Sequence, residues 1–570
     1  MSYSQTATFN SSHHTKTMSD REHAAPVMAN DVTADPEPAF KVETKTEARE
    51  TNTDDDSQTS EVEYPKGFQL TFIAIALALA LFLIALDMTI IATAIPKITD
   101  EFQGLDKVGW YSSAFFVTIG SFQSCWGKVY KYFPLKISFL LAIFIFEIGS
   151  AICGAAPNSN ALIVGRAIAG VGGAGVSAGS YTIIAYSATP ERRPMLLGLL
   201  GISYGFANVI GPLVGGIFSD KVSWRWCFYI NLPVGAISIA IITFFFSDPP
   251  QAKPARVPLK EKILQMDLVG VGLLIAATIC FVLGVEYGQG KYSWGSSKVI
   301  GLLVGFVLIL LVWAVNEWWM GERAMIVPRI IRDRTNLVMS GVAIAIGGSF
   351  FPVVYYVPIY FQSIKHATPI MSGVQNLPMV IAVTFGIFLA GGLISKTGRY
   401  QHILLFALGL STVGAGLIYT FDLHTSTGKW IGYQILAGVG WGLAYQIPLT
   451  VGQGSCDPMD MALITSNILF FQSYGASLFM SAAQAAFVDQ MTAKVMELSD
   501  SISKDLLVLT GATDIYNVFK GDELADVLAG YMHGLKVVYA MAIGTIGIGF
   551  VIALAMPWRK LKQGQATGGA

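Results

Sequence analysis

GLLGISYGFANVIGPLVGG, residues Gly198–Gly216, decides the class of fold. It sits in an apolar run too long and too uncharged for a soluble core helix, yet it carries six glycines and a proline. In water each Gly would weaken a helix by about 1 kcal/mol and Pro by about 3. In a bilayer, small residues let helices approach closely, and neighbouring helices re-satisfy the carbonyl that Pro212 leaves free. The stretch predicts a bent, closely packed membrane helix, suited to a machine that rocks one half against the other.

The composition around it agrees. The 570 residues are 53% hydrophobic and 13% charged, against about 25% charged in soluble proteins, so most of the chain is expected in lipid. Nothing in a net charge of −1 points to nucleic acid. The five cysteines (Cys125, Cys153, Cys227, Cys280, Cys456) are scattered through apolar runs and form no disulfide framework. Only His13 and His14 adjoin among the histidines, so no metal is expected, and no cofactor. Residues 1–66 hold 13 acidic against 6 basic residues and no apolar core with a cleavage site. They predict a disordered acidic tail in the cytosol rather than a signal peptide.

Fourteen apolar segments approach the ~20 residues that cross a bilayer. They run from 69–95 through 195–218 to 535–556. Lys and Arg concentrate in the loops on the tail's side, among them Lys131, Arg192, Arg193, Arg329 and Arg399, which predicts cytosolic termini. GRAIAGVGGA, from Gly165, resembles YQILAGVGWG, from Tyr433, eight segments later. GKVYKYFPLK, after the second segment, is echoed by GGLISKTGRY after the tenth. An internal repeat of this kind predicts two six-helix halves, 67–248 and 336–556, around an inserted pair with flanking cytosolic loops, 249–335. A long outer loop, 489–534, and a cytosolic tail, 557–570, complete the plan.

Ionisable side chains inside a bilayer are expensive unless paired or functional. Asp87, Glu147 and Arg166 fall at one level, roughly 9 to 14 Å beneath the outer surface at 1.5 Å rise per residue. Two acids and one base meeting there would suit proton coupling, with Arg166 stabilising one carboxylate while the other gains and loses a proton. A static buried ion pair is the plainer alternative. The repeat places Gln434 opposite Arg166, so proton chemistry is expected in the first half alone. Asp267 and Glu317, at inner ends of their segments, are expected to be interfacial. Tyr355, Tyr356, Gln362, Asn376, Gln446, Asn467 and Gln472 are the candidate contacts for an amphipathic substrate in the second half. Residues of these types equally serve as helix–helix hydrogen bonds.

From about Leu70 onward the chain resembles the major facilitator superfamily, and within it the fourteen-span drug:proton antiporters. LDMTIIATAIP (Leu86–Pro96) is similar to the family's first-span motif, and LIVGRAIAGVGGA to the fourth-span motif, whose Arg, here Arg166, is implicated in proton transfer. Gly198, Gly211, Pro212, Gly215 and Gly216 match the fifth-span antiporter motif of exporters, taken as a conformational hinge. WRWCFYINLPVG (Trp224–Gly235) resembles the signature that follows. The loop after the second span departs from the family pattern: Lys131 stands where an Asp helps lock the inner gate, so that gate must be held differently. GKVYKYFPLK, FEIGSAICGAAPNS and GATDIYNVF look most like fungal pumps for toxins and other secondary metabolites, such as the HC-toxin and aflatoxin carriers.

These readings converge on an all-α integral membrane protein of the major facilitator fold with 14 transmembrane helices. The expected function is proton-coupled efflux of small amphipathic organic molecules, a fungal toxin or other secondary metabolite or drugs, by a monomer in the plasma membrane. Its partners would be the small-molecule substrate, protons and the lipid bilayer. The alternative is an importer or a vacuolar or vesicle carrier of the same fold, for a siderophore or a basic amino acid. No cluster of His, Cys or Ser suggests an enzyme, and no G-x-x-x-x-G-K-[ST] loop suggests nucleotide as the energy source.

Overall fold

A computed structural model of the chain describes residues 65, 67–102, 108–189, 192–249, 252–499, 501–510, 512 and 515–558. The tail expected at 1–66 lies outside them except for Pro65, as does most of 557–570. Among the described residues every regular element is helical. The first half holds α1 (Phe68–Phe102), α2 (Val108–Tyr132), α3 (Leu135–Gly154), α4 (Ser159–Ser187), α5 (Arg193–Lys221) and α6 (Asn231–Phe245). An inserted pair follows, α7 (Leu268–Glu286) and α8 (Ser297–Met320). The second half holds α9 (Arg334–Ser363), α10 (Pro369–Thr397), α11 (Tyr400–Tyr419), α12 (Thr427–Tyr445), α13 (Met461–Leu498) and α14 (Gly521–Leu554).

Local signals set several helix starts. Asn158 caps α4 by accepting from Ala161 N at 3.0 Å, and Asp333 caps α9 by accepting from Thr335 N and Asn336 N. Such caps satisfy amide groups that the first turn leaves unpaired. The helices then pack in a pattern that occurs twice. In the first half α4 packs on α2 and α3, α5 on α1, and α6 on α1 and α3. In the second half α12 packs on α10 and α11, α13 on α9, and α14 on α9 and α11. Each pairing recurs eight helices later, which is the offset of the sequence repeat. The halves meet through α2 against α13 and α5 against α10, again a symmetric couple. The inserted pair lies to one side, with α7 on α2 and α13.

The repeated A-G-V-G is the device that sets these crossings. A Cβ on Gly170 would strike Thr118 and Phe115 of α2, and one on Gly172 would strike Phe146 of α3. At the matching places, Gly438 lies on Met379 of α10 and Gly440 on Ser411 of α11. Close backbone approach through small residues is how membrane helices gain packing without a hydrophobic drive.

Among the described residues, eleven helices are long and apolar enough to cross a membrane. The long helices α2 and α13 fall outside that set, interleaving polar residues with apolar ones, and of α5 the apolar helix counted is Met195–Ala207. Together with α10, these three carry most of the contact between halves. At the other extreme, only 6% of the apolar window of α8 is buried. The stretch 489–534 is largely helical: α13 continues to Leu498, α14 begins at Gly521, and short helices cover Lys504–Leu509 and Ile515–Val518 between them.

Candidate functional site: a buried charge cluster in the first half

Helix α5 is helical throughout Arg193–Lys221. Gly211 is the point of closest approach, where a Cβ would collide with Thr89 of α1. Gly198 meets Ile387 and Phe388 of α10 at ordinary distances, Gly216 faces open space, and Gly215 is buried. The side chain of Pro212, where a bend is expected, lies outside the described residues.

That α1–α5 contact holds α1 so that Asp87, 1% exposed, points at α4. There it forms an ion pair with Arg166 Nη1. Arg166 is wholly buried, donates Nε to the Tyr111 carbonyl at 2.8 Å, and lies over the Phe115 ring at 4.5 Å. The other Asp87 oxygen accepts from Asn231 Nδ2 at 3.3 Å, and the same amide nitrogen donates to Ser150 Oγ at 3.1 Å. Tyr111 and Ser159 close the cluster with a 2.8 Å hydroxyl pair. Five helices, α1, α2, α3, α4 and α6, thus supply one buried polar group.

Glu147 sits on α3, one turn before Ser150. It is 8% exposed, packed against Gly235 of α6, and neither carboxyl oxygen has a hydrogen-bond partner among the described residues. The three ionisable residues expected at one level therefore divide: Asp87 and Arg166 are joined, and Glu147 stands beside them without a bond. Asn231, Ser150 and Tyr111 escaped the sequence reading. The signal for Asn231 lay within WRWCFYINLPVG, where an amide interrupts an apolar run.

The candidate substrate residues are spread over the second half. Tyr356 donates to Gln484 Oε1 at 3.0 Å, Gln362 to Ser372 Oγ at 3.3 Å, and Gln472 to the Tyr445 carbonyl at 3.4 Å, all bonds within that half. Gln446 reaches across to Tyr181 of α4 at 3.4 Å. Asn376 and Asn467 are buried, with Asn376 Oδ1 and Asn467 Nδ2 unpartnered among the described residues. Tyr355 is 46% exposed. These residues do not converge on one hydrogen-bonded cluster. Among the described residues no group of three or more His, Cys, Asp or Glu side chains gathers as a metal site.

At the end of the bundle bearing the α2–α3 turn, the halves are tied by charge. Lys131 of α2 and Arg329, just before α9, both bind Asp460, at 2.8 and 2.9 Å. Tyr186 of α4 adds a bond to the Pro458 carbonyl at 2.7 Å. Burial pushes the Asp460 carboxyl up, but the hydrogen bonds from Arg329 and Lys131 outweigh it and hold it below the usual carboxylate range. Lys131, the departure from the expected acid, is thus the cationic partner of an acid in the opposite half.

Two six-helix repeats, paired alike and enclosing a buried charge cluster, define a membrane transporter. Residues 77–480 match the Major Facilitator Superfamily, and the chain belongs to it. It is 51% identical over 92% of its length to the MFS-type transporter grgE of a Penicillium species, covering 92% of that protein. It is 46% identical to the probable efflux pump gsfJ of Penicillium aethiopicum, covering 89% of this chain and 91% of that one. It is 39% identical to the MFS-type efflux pump MFS1 of Trichophyton rubrum, covering 91% and 96%. Among solved structures, the human organic anion transporter MFSD10 shares the fold, with a TM-score of 0.55 at 12% identity over 86% of this chain and all of that one.

Proposed function

We propose that the protein exports small amphipathic organic molecules in exchange for protons. In this reading all fourteen long helices cross the membrane, α2 and α13 being less apolar because they face the passage between the halves. Both termini would lie in the cytosol, with the carrier working as a monomer in the plasma membrane. The observation that carries the reading is the cluster of the first half: a paired Asp87 and Arg166 beside a buried Glu147 whose oxygens lack partners. Glu147 would hold the exchangeable proton. Asn231 and Ser150 would steady Asp87, so that movement of Arg166 between the two acids drives release. The relatives named as efflux pumps favour export as the direction. Tyr355, Asn376, Gln446 and Asn467 are the cargo contacts to test first, since each offers an exposed ring, an unpartnered amide atom or a bond between halves.

The experiment is transport in proteoliposomes under an imposed pH gradient, assayed in both directions. Cargo should move only against the proton flow, and Glu147→Gln should abolish acidification while leaving cargo binding intact. Uphill export that survives in both Glu147→Gln and Asp87→Asn would overturn the coupling. Movement of cargo in the same direction as protons would overturn the direction.

A further inference from the structure

The junction between the inserted pair and the first half holds a second set of buried charges. Asp267 and Glu317, expected at the membrane surface, are 2% and 6% exposed. The turn after α8 folds back and covers them. Asp267, held at φ 43°, caps α7 by accepting from Gly270 N at 2.9 Å. The same oxygen takes Asn316 Nδ2 at 3.4 Å, and its other oxygen takes Met325 N at 3.0 Å. Glu317 Oε2 accepts from Ile326 N at 2.7 Å.

Glu317 Oε1 is buried and has no donor among the described residues. It faces Gly270, 2.7 Å from where a Cβ would stand, and Asp267 Oδ2 crowds the same point. The two oxygens are therefore within about 5 Å of each other, where like charges oppose double ionisation. Met266, Val271, Leu274, Met325 and Phe470 wall the place with apolar surface. The groups that face it are few. From α2 come Cys125 and Lys128, whose Nζ donates to Gln265 Oε1 at 3.2 Å and to the Glu322 carbonyl at 2.6 Å. Glu322 itself is exposed and paired with Arg329, and α13 presents Phe470, Phe471 and Tyr474. Two carboxylates thus face one buried cation whose own hydrogen bonds go elsewhere, to Gln265 and the Glu322 carbonyl. A single proton on Glu317 Oε1 would supply the missing bond and make the group neutral.

We infer that Glu317 holds a proton beside the Asp267 carboxylate, forming a second proton-binding site apart from Asp87, Arg166 and Glu147, and that this proton holds the 321–327 turn on the inserted pair. Its loss sets two carboxylates against each other and loosens the Met325 and Ile326 amides. Those amides are anchored to the two acids, and the chain beyond them leads to Arg329 and so to Asp460.

The test uses the full chain in lipid nanodiscs. Infrared titration should resolve a protonated-carboxyl band that Glu317→Gln removes and Glu147→Gln leaves in place. Hydrogen exchange at Met325 and Ile326 should rise about tenfold with pH, relative to amides elsewhere, in the wild type. It should stay slow in Glu317→Gln, which imitates the protonated state. An unchanged band in a folded Glu317→Gln protein, or the same pH response in both proteins, overturns the inference. Should that variant not fold, Lys128→Gln decides: removing the cation tightens the proton, so loss of protection moves to higher pH. No shift, or a shift downward, overturns the site.

Discussion

Helices α4 and α12 share one packing motif but differ at the matching position that holds Arg166 in one and Gln434 in the other. Each uses A-G-V-G to lean on the two helices before it. Each then places a long polar side chain one turn earlier on a backbone carbonyl of the second helix of its half: Arg166 on Tyr111, Gln434 on Gln375 at 3.0 Å. Only the first half adds a carboxylate to meet the charge. The scaffold of a crossing is thus common to both halves, and the buried ion pair is confined to one by exchanging a neutral amide for a guanidinium that requires an acid close by.

That contrast can be attacked in order of expected effect. Gln434→Arg places a cation in a wholly buried site for which the structure provides no acid, so a penalty of several kcal/mol is expected. Little folded protein should reach the membrane, as judged by monodisperse elution. Arg166→Gln converts the first half to the pattern of the second and leaves Asp87 unpaired, at a cost of about 3–5 kcal/mol in thermal unfolding. Adding Asp87→Asn should recover most of that stability and none of the export. If the double variant still pumps uphill, the contrast between the halves is structural only.

Gly170→Ala and Gly438→Ala should each cost about 1–3 kcal/mol by overpacking, and by similar amounts, since both close approaches involve backbone. Gly216→Ala, facing open space, should lie within about 0.5 kcal/mol of wild type. A comparably small effect concerns Asp460. Its folded value is depressed, so its contribution is present above the unfolded carboxylate range near ~3.9 and is lost as pH falls through the folded value. Asp460→Asn should flatten that acid limb and weaken the tie by about 1 kcal/mol or less, because Arg329 is half exposed. Unfolding followed as a function of pH reads both.

Much of this arrangement could be read from the chain before folding. Long apolar runs, the A-G-V-G repeat and the common depth of Asp87, Glu147 and Arg166 are one-dimensional signals, and the structure buries all three in the first half, with Asp87 and Arg166 joined and Glu147 beside them unbonded. What could not be read depends on contacts between distant segments. Asn231 starts α6 just after the short helix Trp226–Tyr229, so by position it resembles an interfacial amide; only the packing of α6 on α1 and α3 aims it at Asp87. Asp267 and Glu317 look interfacial because hydropathy ends there, and their burial comes from a turn that folds back over them. The relation of Lys131 to Asp460 links positions 329 residues apart. Helices α2 and α13 register weakly as spans for a related reason: the polar residues that dilute their hydropathy lie on helices that meet the opposite half.

The bare side of α8 carries one consequence of its own. Leu308, Leu311, Val312, Val315, Trp318 and Trp319 are exposed, so acyl chains must complete the packing that protein supplies elsewhere. This hairpin is where bilayer thickness and delipidation first act on the molecule. At its end the Glu322 carbonyl accepts from Lys128 of α2, so the same hairpin is fastened to the first half.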